Sequence, residues 1–386
     1  MRRSGPSGLF IILTVVSAAL FLGPLVNITH SQSTTWNSFQ RFTSTLDANF
    51  GPFVLQTHDG TVWVFWEFVP FATPWLQQIR YRTTFNPQST FNASRWTPDQ
   101  ILISNSAQNV VPRAAQLPNG TIFLSYSSNR TGNFDIFLKR FNTGQGWSPD
   151  SQVTGNKADE VVTSLVAAKD GSLWLFWDRQ NSTASNIFYK YYRGGTWSAE
   201  FQLTFDRGTT QDSMPSAYQL SDGRIFAAWS QQKGSFTNIQ VWYSIYNGVS
   251  WSAPVTHQST FPDRLSAVTQ DSNNTIWLMW TREFQIVGGT NGVFDDDIAY
   301  VTSTDGGNTW SNDTLLTNDL GCTPDVNCFD DFQPSLAQLK DSSVYAFFVS
   351  NRDPQLYQNI FYATSSPIGA HTISGLGLGS SMARPL

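Results

Sequence analysis

Charge is scarce in this chain: Asp, Glu, Lys and Arg make up 13% of its 386 residues, and the net charge is −5. Without a run of Lys or Arg there is no electrostatic footprint for DNA or RNA, and an acidic balance repels an anionic membrane. Histidine is rarer still. His30, His58, His257 and His371 are scattered, which supports neither a Ser/His/Asp triad nor a His-rich metal site. No phosphate-cradling Gly loop follows a strand and opens a helix. Cysteine is limited to Cys322 and Cys328 in "GCTPDVNCFDD"; two thiols without a nearby His argue against zinc and, in an exported chain, for one disulfide.

What is abundant points to strands. Aromatics reach 15%, with 15 Trp among many Ser, Thr, Asn, Gln and Gly, a profile of β-strands joined by polar turns. The first 33 residues differ. Arg2 and Arg3 precede the apolar run "LFIILTVVSAALFLGPLV" from Leu9 to Val26, the order of an export signal, with Ser31 and Ser33 spaced for cleavage. The same run is long enough to stay as a membrane anchor. The expected organisation is therefore 1–33 as signal peptide or anchor, 34–366 as the folded domain and 367–386 as a Gly/Ser-rich tail, in a secreted or cell-surface protein.

Three landmarks recur in one order through 34–366. The first is a turn followed by an apolar strand, six times: "DGTVWVFWE" at Asp59, "NGTIFLSYS" at Asn119, "DGSLWLFWD" at Asp170, "DGRIFAAWS" at Asp222, "NNTIWLMWT" at Asn273 and "DSSVYAFFV" at Asp341. The second is an Ile opening another strand, at Ile79, Ile136, Ile187, Ile239, Ile298 and Ile360. The third is a Trp after a small-residue turn, at Trp36, Trp96, Trp147, Trp197, Trp251 and Trp310. Steps of 50 to 60 residues suit a four-stranded propeller blade better than a solenoid turn. Strands such as "TVWVFWE" are apolar on both faces, as expected of strands sandwiched between neighbouring blades. The Trp series is circularly shifted, since Trp36 precedes the first turn and nothing equivalent follows Ile360. The expectation is an all-β, six-bladed propeller whose N-terminal strand completes the last blade and closes the ring.

The stretch "STDGGNTW" carries the family resemblance. Ser303, Asp305, Gly307, Thr309 and Trp310 fit S-x-D-x-G-x-T-W, the Asp-box of sialidase-like (BNR-repeat) propellers. Physically it is a hairpin in which Asp and Ser cap turn amides, Gly takes a positive φ and Trp enters the blade. The chain resembles that family over about residues 34 to 366, and "SSNRTGNFDIF" and "SNRDPQLYQNIF" are similar to TolB-type propellers. The resemblance implies that the Asp-box lies opposite the active face and plays a structural part.

The same resemblance implies an Arg-Ile-Pro element, an arginine triad for a carboxylate and a Tyr nucleophile paired with Glu. The sequence departs from it. Two residues before Pro52, Pro112, Pro215 and Pro334 stand Phe50, Val110, Ser213 and Phe332, so the motif arginine is missing. Glu160 and Tyr218 are merely the right residue types for a catalytic pair. Ligand-binding candidates are the polar groups opening the inner strands, Asn109, Glu160, Asp212, Asp263 and Asp331, with Arg130, Arg179, Arg282 and Arg352 in the following loops and the off-repeat Trp75. Structural pairing within each blade is the competing expectation for the arginines. No cofactor is required; calcium at Asp295, Asp296 and Asp297 is the metal expectation, against a solvated acidic tip. The leading functional expectation is a non-catalytic glycan-binding or surface-interaction module, with a glycan or a surface protein as partner. A divergent exo-sialidase or related glycoside hydrolase, and a purely structural surface protein, are the alternatives.

Overall fold

The computed structural model describes residues 36–85, 95–181, 184–205, 208–286, 293–318, 329–352 and 357–365. The apolar N-terminal run, the Gly/Ser-rich tail and both cysteines, with the expected disulfide between them, lie outside the described residues.

Among the described residues every regular element is a strand. β1 (Gln40–Arg41) precedes an antiparallel sheet of β2 (Ala48–Gln56), β3 (Thr61–Val69), β4 (Gln78–Phe85) and β5 (Gln100–Ile103). Next come β6 (Asn109–Gln116), β7 (Ile122–Ser128) and β8 (Asp135–Asn142), edged by β9 (Gly146–Trp147) and β10 (Ser151–Gln152). The third group is β11 (Asp159–Ala167), β12 (Leu173–Gln180) and β13 (Ser185–Arg193), edged by β14 (Thr196–Trp197) and β15 (Phe201–Gln202). The fourth is β16 (Thr210–Gln219), β17 (Ile225–Lys233), β18 (Ile239–Tyr246) and β19 (Val255–His257), whose strand-to-strand pairing with the third is limited to the parallel pair Ser185 and Gln211. β20 (Asp263–Gln270), β21 (Ile276–Ile286), β22 (Val293–Ser303) and β23 (Thr314–Leu315) form another sheet. β24 (Asp331–Gln338), β25 (Val344–Ser350) and β26 (Asn359–Thr364) complete the series, with β1 hydrogen-bonded to β26, Gln40 opposite Tyr362. The first strands neighbour one another in the order β2, β6, β11, β16, β20, β24, and β24 neighbours β2.

The second strands explain why these sheets stack. In β3, Val62, Val64, Trp66 and Phe68 share a cluster with Tyr345 and Phe347 of β25, while Trp63 and Phe65 join Leu124 and Tyr126 of β7. Alternate side chains thus serve two different interfaces, which is why the strand has no polar face. Burying each such side chain is worth about 1.5–3 kcal/mol, and Trp66, wholly buried, would cost about 3–5 kcal/mol on truncation to Ala.

Each first strand breaks register at the same height, and the residue there takes a positive φ: Gly51, Val111, Val162, Met214, Leu265 and Gln333. Five of these are not glycine, so each stores strain that its surroundings must hold. The holding device is a side chain from the preceding sheet: the N–H of Val111 donates to Glu67 at 2.6 Å, that of Leu265 to Ser230 at 3.0 Å and that of Gln333 to Thr281 at 3.1 Å. These acceptors all occupy the position after the aromatic in the repeated apolar strand.

The hairpin between β22 and β23 has the geometry its sequence implies. Asp305 accepts from the amides of Asn308 and Thr309 and from the Thr309 hydroxyl, and the Gly307 amide donates to Ser303. Trp310 donates through Nε1 to the Tyr243 hydroxyl at 3.0 Å, which ties the hairpin to β18 of the neighbouring sheet.

Candidate functional site

The polar groups that open the first strands are buried. Asn109, Glu160, Asp212, Asp263 and Asp331 are each 0% exposed, and none lines the central cavity. They are held within their own sheets. Arg130 donates to Asn109 at 3.3 Å, Arg179 Nε to Glu160 at 2.6 Å, Gln231 to Asp212 at 3.0 Å, and Arg282 to both oxygens of Asp263 at 2.8 Å; Arg352 pairs with Asp331. On its outer side Arg130 reaches Asp150, Arg179 reaches Glu200 and Arg282 reaches Asp313. The guanidinium groups of Arg130 and Arg179 also stack over Phe137 and Phe188 at 4.2 and 4.1 Å. Such ties, repeated sheet by sheet, are the pairing arrangement, and breaking a buried pair costs about 3–5 kcal/mol.

Glu160 and Tyr218 do not meet. Glu160 opens β11, level with Asp212 on β16, whereas Tyr218 lies six residues further along β16, about 20 Å at the rise of a strand. Its hydroxyl is 3.5 Å from the carbonyl of Gln270. The three consecutive acids diverge for a simpler reason: neighbours on a strand face opposite ways. Asp295 and Asp297 are buried on one face, where Asp297 accepts from Thr317 at 2.8 Å, while Asp296 faces the cavity. No group of three metal-capable side chains occurs among the described residues. Trp75 is exposed in the loop between β3 and β4, outside the cavity lining, although its neighbours Phe71 and Pro74 belong to it.

What the first strands enclose is a channel-like cavity of about 2190 Å³. At the end where these strands begin, four charged residues converge. Arg264 donates through NH1 to Glu283 at 2.8 Å and through NH2 to both oxygens of Asp296 at 2.9 and 2.8 Å. Asp330 stands close enough to act electrostatically on Asp296. Glu283 and Asp296 are directly opposite on β21 and β22, a like-charge arrangement that one guanidinium cannot fully offset. Burial pushes the Asp296 carboxyl up to about 7, with Asp330 and Glu283 adding to the shift and Arg264 opposing it; Asp330 is raised as well, again chiefly by burial. The rim of this mouth is aromatic: Phe71 and Phe236 are 75% and 73% exposed and line the cavity, and Tyr357 meets Phe71 edge to face at 6.3 Å.

Of this cluster the sequence singled out Asp296, as a metal candidate, and Asp330, as an acid just ahead of an inner strand and an alternative calcium position. The signal for Arg264 was available in the repeat, because it occupies the position held by Phe50, Val110, Val161, Ser213 and Phe332 in the other first strands.

No protein-family model matches the sequence, and no curated protein matches it. Solved structures do. A protein of unknown function from Dyadobacter fermentans superposes with a TM-score of 0.65 at 14% identity, over 85% of this chain and 99% of that one. The GH93 α-L-arabinofuranosidase of Fusarium graminearum, solved with arabinobiose, gives 0.60 at 14% identity over 85% and 97%. The NanB sialidase from Streptococcus pneumoniae gives 0.60 at 9% identity over 86% and 71%. With antiparallel sheets stacked around a central cavity, these likenesses establish the fold as a sialidase-like β-propeller.

Proposed function

We propose that this protein is a glycan-binding propeller of six blades, closed by the N-terminal strand β1, whose ligand sits at the channel mouth. Support for the ring comes from the cyclic order of the first strands and from the pairing of β1 with β26. The observation that carries the ligand class is the mouth itself. Exposed Phe71 and Phe236 offer flat apolar faces, and the carboxyl and guanidinium groups of Glu283, Asp296 and Arg264 stand just inside them. Sugars need this combination, an apolar ring face to stack on and polar groups to meet hydroxyls. The structural neighbours that act on sialosides and arabinosides favour the same class. Export to the cell surface, read from the N-terminal run, would place the mouth where glycans occur.

Glycoside hydrolysis is the second reading, favoured by one observation. A carboxyl held near 7 at Asp296 stands directly opposite a second carboxyl group, Glu283, and both bind Arg264, which brings two acids of a hydrolase pair into a single cluster. The test is a glycan array probed with the full chain, followed by turnover assays on the glycans retained. Binding reduced at least tenfold in Glu283→Gln supports the reading; retention of no glycan overturns it. Turnover lost in Asp296→Asn would make the protein a hydrolase.

A further inference from the structure

We propose that Glu67 and Arg113 form a second polar subsite inside the channel, which holds two adjacent hydroxyl groups of a neutral sugar. The guanidinium donates to one hydroxyl oxygen, and the carboxyl group hydrogen-bonds the other. This rests on the glycan reading and adds to it the kind of sugar and the depth it reaches.

Glu67 keeps the amide-accepting role of its column but with the longest acidic side chain in it, and Arg113 is the one charged residue in its own column. Glu67 is level with Ser127, Asp178, Ser230, Thr281 and Val349 in the other second strands. Arg113 is level with Phe53, Ser164, Ser216, Ala267 and Ser335 in the other first strands. Three of those serines bind the ring together, since Ser164, Ser216 and Ser335 accept amides of the next first strand, from Ala217, Val268 and Val54. Arg113 cannot accept. It lines the cavity, and among the described residues its guanidinium donates one hydrogen bond, to the carbonyl of the preceding Pro112 at 2.9 Å. It makes no ion pair among the described residues, unlike Arg130, Arg179, Arg264, Arg282 and Arg352.

Glu67 is 6% exposed and also lines the cavity. One oxygen accepts the Val111 amide at 2.6 Å; the other has no hydrogen bond among the described residues. Space has been cleared for this carboxyl group. A Cβ added to Gly51 would lie 2.9 Å from Glu67 Oε1, and Gly51 is the one glycine among six equivalent positive-φ positions. Since Val, Met, Leu and Gln fill the other five, backbone conformation alone does not call for glycine there; the carboxyl group does. Burial raises the Glu67 carboxyl to about 7 and lowers Arg113 to about 10. Near neutral pH the acid can therefore either donate to or accept from a hydroxyl.

Charge selects a neutral ligand over an acidic one. The mouth half of the cavity carries four carboxyl groups, from Glu67, Glu283, Asp296 and Asp330, against the guanidinium groups of Arg113 and Arg264. Arg264 is already taken by Glu283 and Asp296. With Glu67 and Asp296 held near 7 the excess is partial at neutral pH and grows above it, and an anionic sugar would enter against it.

The experiment is calorimetric titration of the full chain with neutral disaccharides (arabinobiose, cellobiose, lactose) and acidic ones (sialyllactose, digalacturonate). The variants are Glu67→Gln, which keeps an acceptor for the Val111 amide, and Arg113→Met, which keeps the bulk; thermal melts check that both fold. The expected result is binding of a neutral disaccharide in preference to the acidic ones, weakened at least tenfold by each variant. Unchanged affinity in both variants, while Phe236→Ala weakens binding, would overturn the subsite and leave the glycan reading standing. Preference for an acidic sugar that Arg113→Met abolishes would overturn the neutral assignment. Binding of none of the five would count against both.

Discussion

Gln56 accepts the backbone N–H of Lys340 at 2.7 Å, joining residues 284 positions apart. The same bond recurs around the axis: Gln116 accepts from His58, Gln219 from Lys169, Gln270 from Ser221 and Gln338 from Ser272. Each of these glutamines also donates to a carbonyl of its own turn, as Gln56 does to Gly60 at 3.0 Å. One seam lacks the bond. The residue that should donate is Pro118, which has no N–H, and the position that should accept holds Ala167.

Removing one such amide should cost about 1–2 kcal/mol, the loss expected for a pair of partly buried hydrogen bonds. Gln56→Ala is expected to melt a few degrees lower. Ala167→Gln alone should gain nothing, because its donor is missing, whereas Ala167→Gln with Pro118→Ser should raise the melting temperature. Equal gains with and without Pro118→Ser would show that the N–H is not what the glutamine needs.

Stability should decline as pH rises through neutrality. Glu67, Asp178 and Asp296 are each raised to about 7, in every case chiefly by burial. Between about pH 4 and 7 the folded chain keeps protons that the unfolded chain releases, so unfolding loses protons and stability falls with pH. Their contribution is complete below about pH 4 and gone above 7. Carboxyls held below their ordinary values, such as Asp150 and Asp313, act in the opposite sense and lose their contribution under stronger acid. The melting temperature is expected to peak near pH 5 and fall by pH 8, with a shallower fall in Glu67→Gln. A curve that climbs from pH 5 to pH 8 would contradict this.

The Tyr243 hydroxyl accepts from Trp310 and donates to the Gly307 carbonyl at 3.2 Å. Tyr243→Phe keeps the ring that stacks 5.0 Å from Phe226 and removes only those bonds. A loss of about 1–3 kcal/mol is expected, since a buried donor and acceptor are left unpaired. Denaturant titration would measure it, and a neutral result would mean that the hairpin is held by ring contact alone.

The sequence was most legible where one role repeats from sheet to sheet. The six apolar stretches became strands because each buries two faces, and the Asp-box folded as its residue types require. It was least legible where one residue departs from its equivalents for the sake of a neighbour far along the chain. Gly51 makes room for Glu67, and Arg264 reaches Asp296 across β21, relations that no local pattern encodes. The acids opening the first strands misled in the other direction. Their regular recurrence resembled a binding ring, yet burial and the facing arginines, or Gln231 at Asp212, make them ties within each sheet. Comparing equivalent positions column by column, rather than searching for motifs, would have exposed Glu67, Arg113 and Arg264 as the departures.

The most direct test of the account is where a glycan binds. Phe71→Ala and Phe236→Ala alter exposed rim residues that contribute little to stability, and Lys169→Ala alters the opposite end of the same cavity. Calorimetric affinities for the neutral disaccharides should fall at least tenfold in both rim variants and stay unchanged in Lys169→Ala. Binding that survives both rim variants and disappears in Lys169→Ala would contradict the assignment of the mouth.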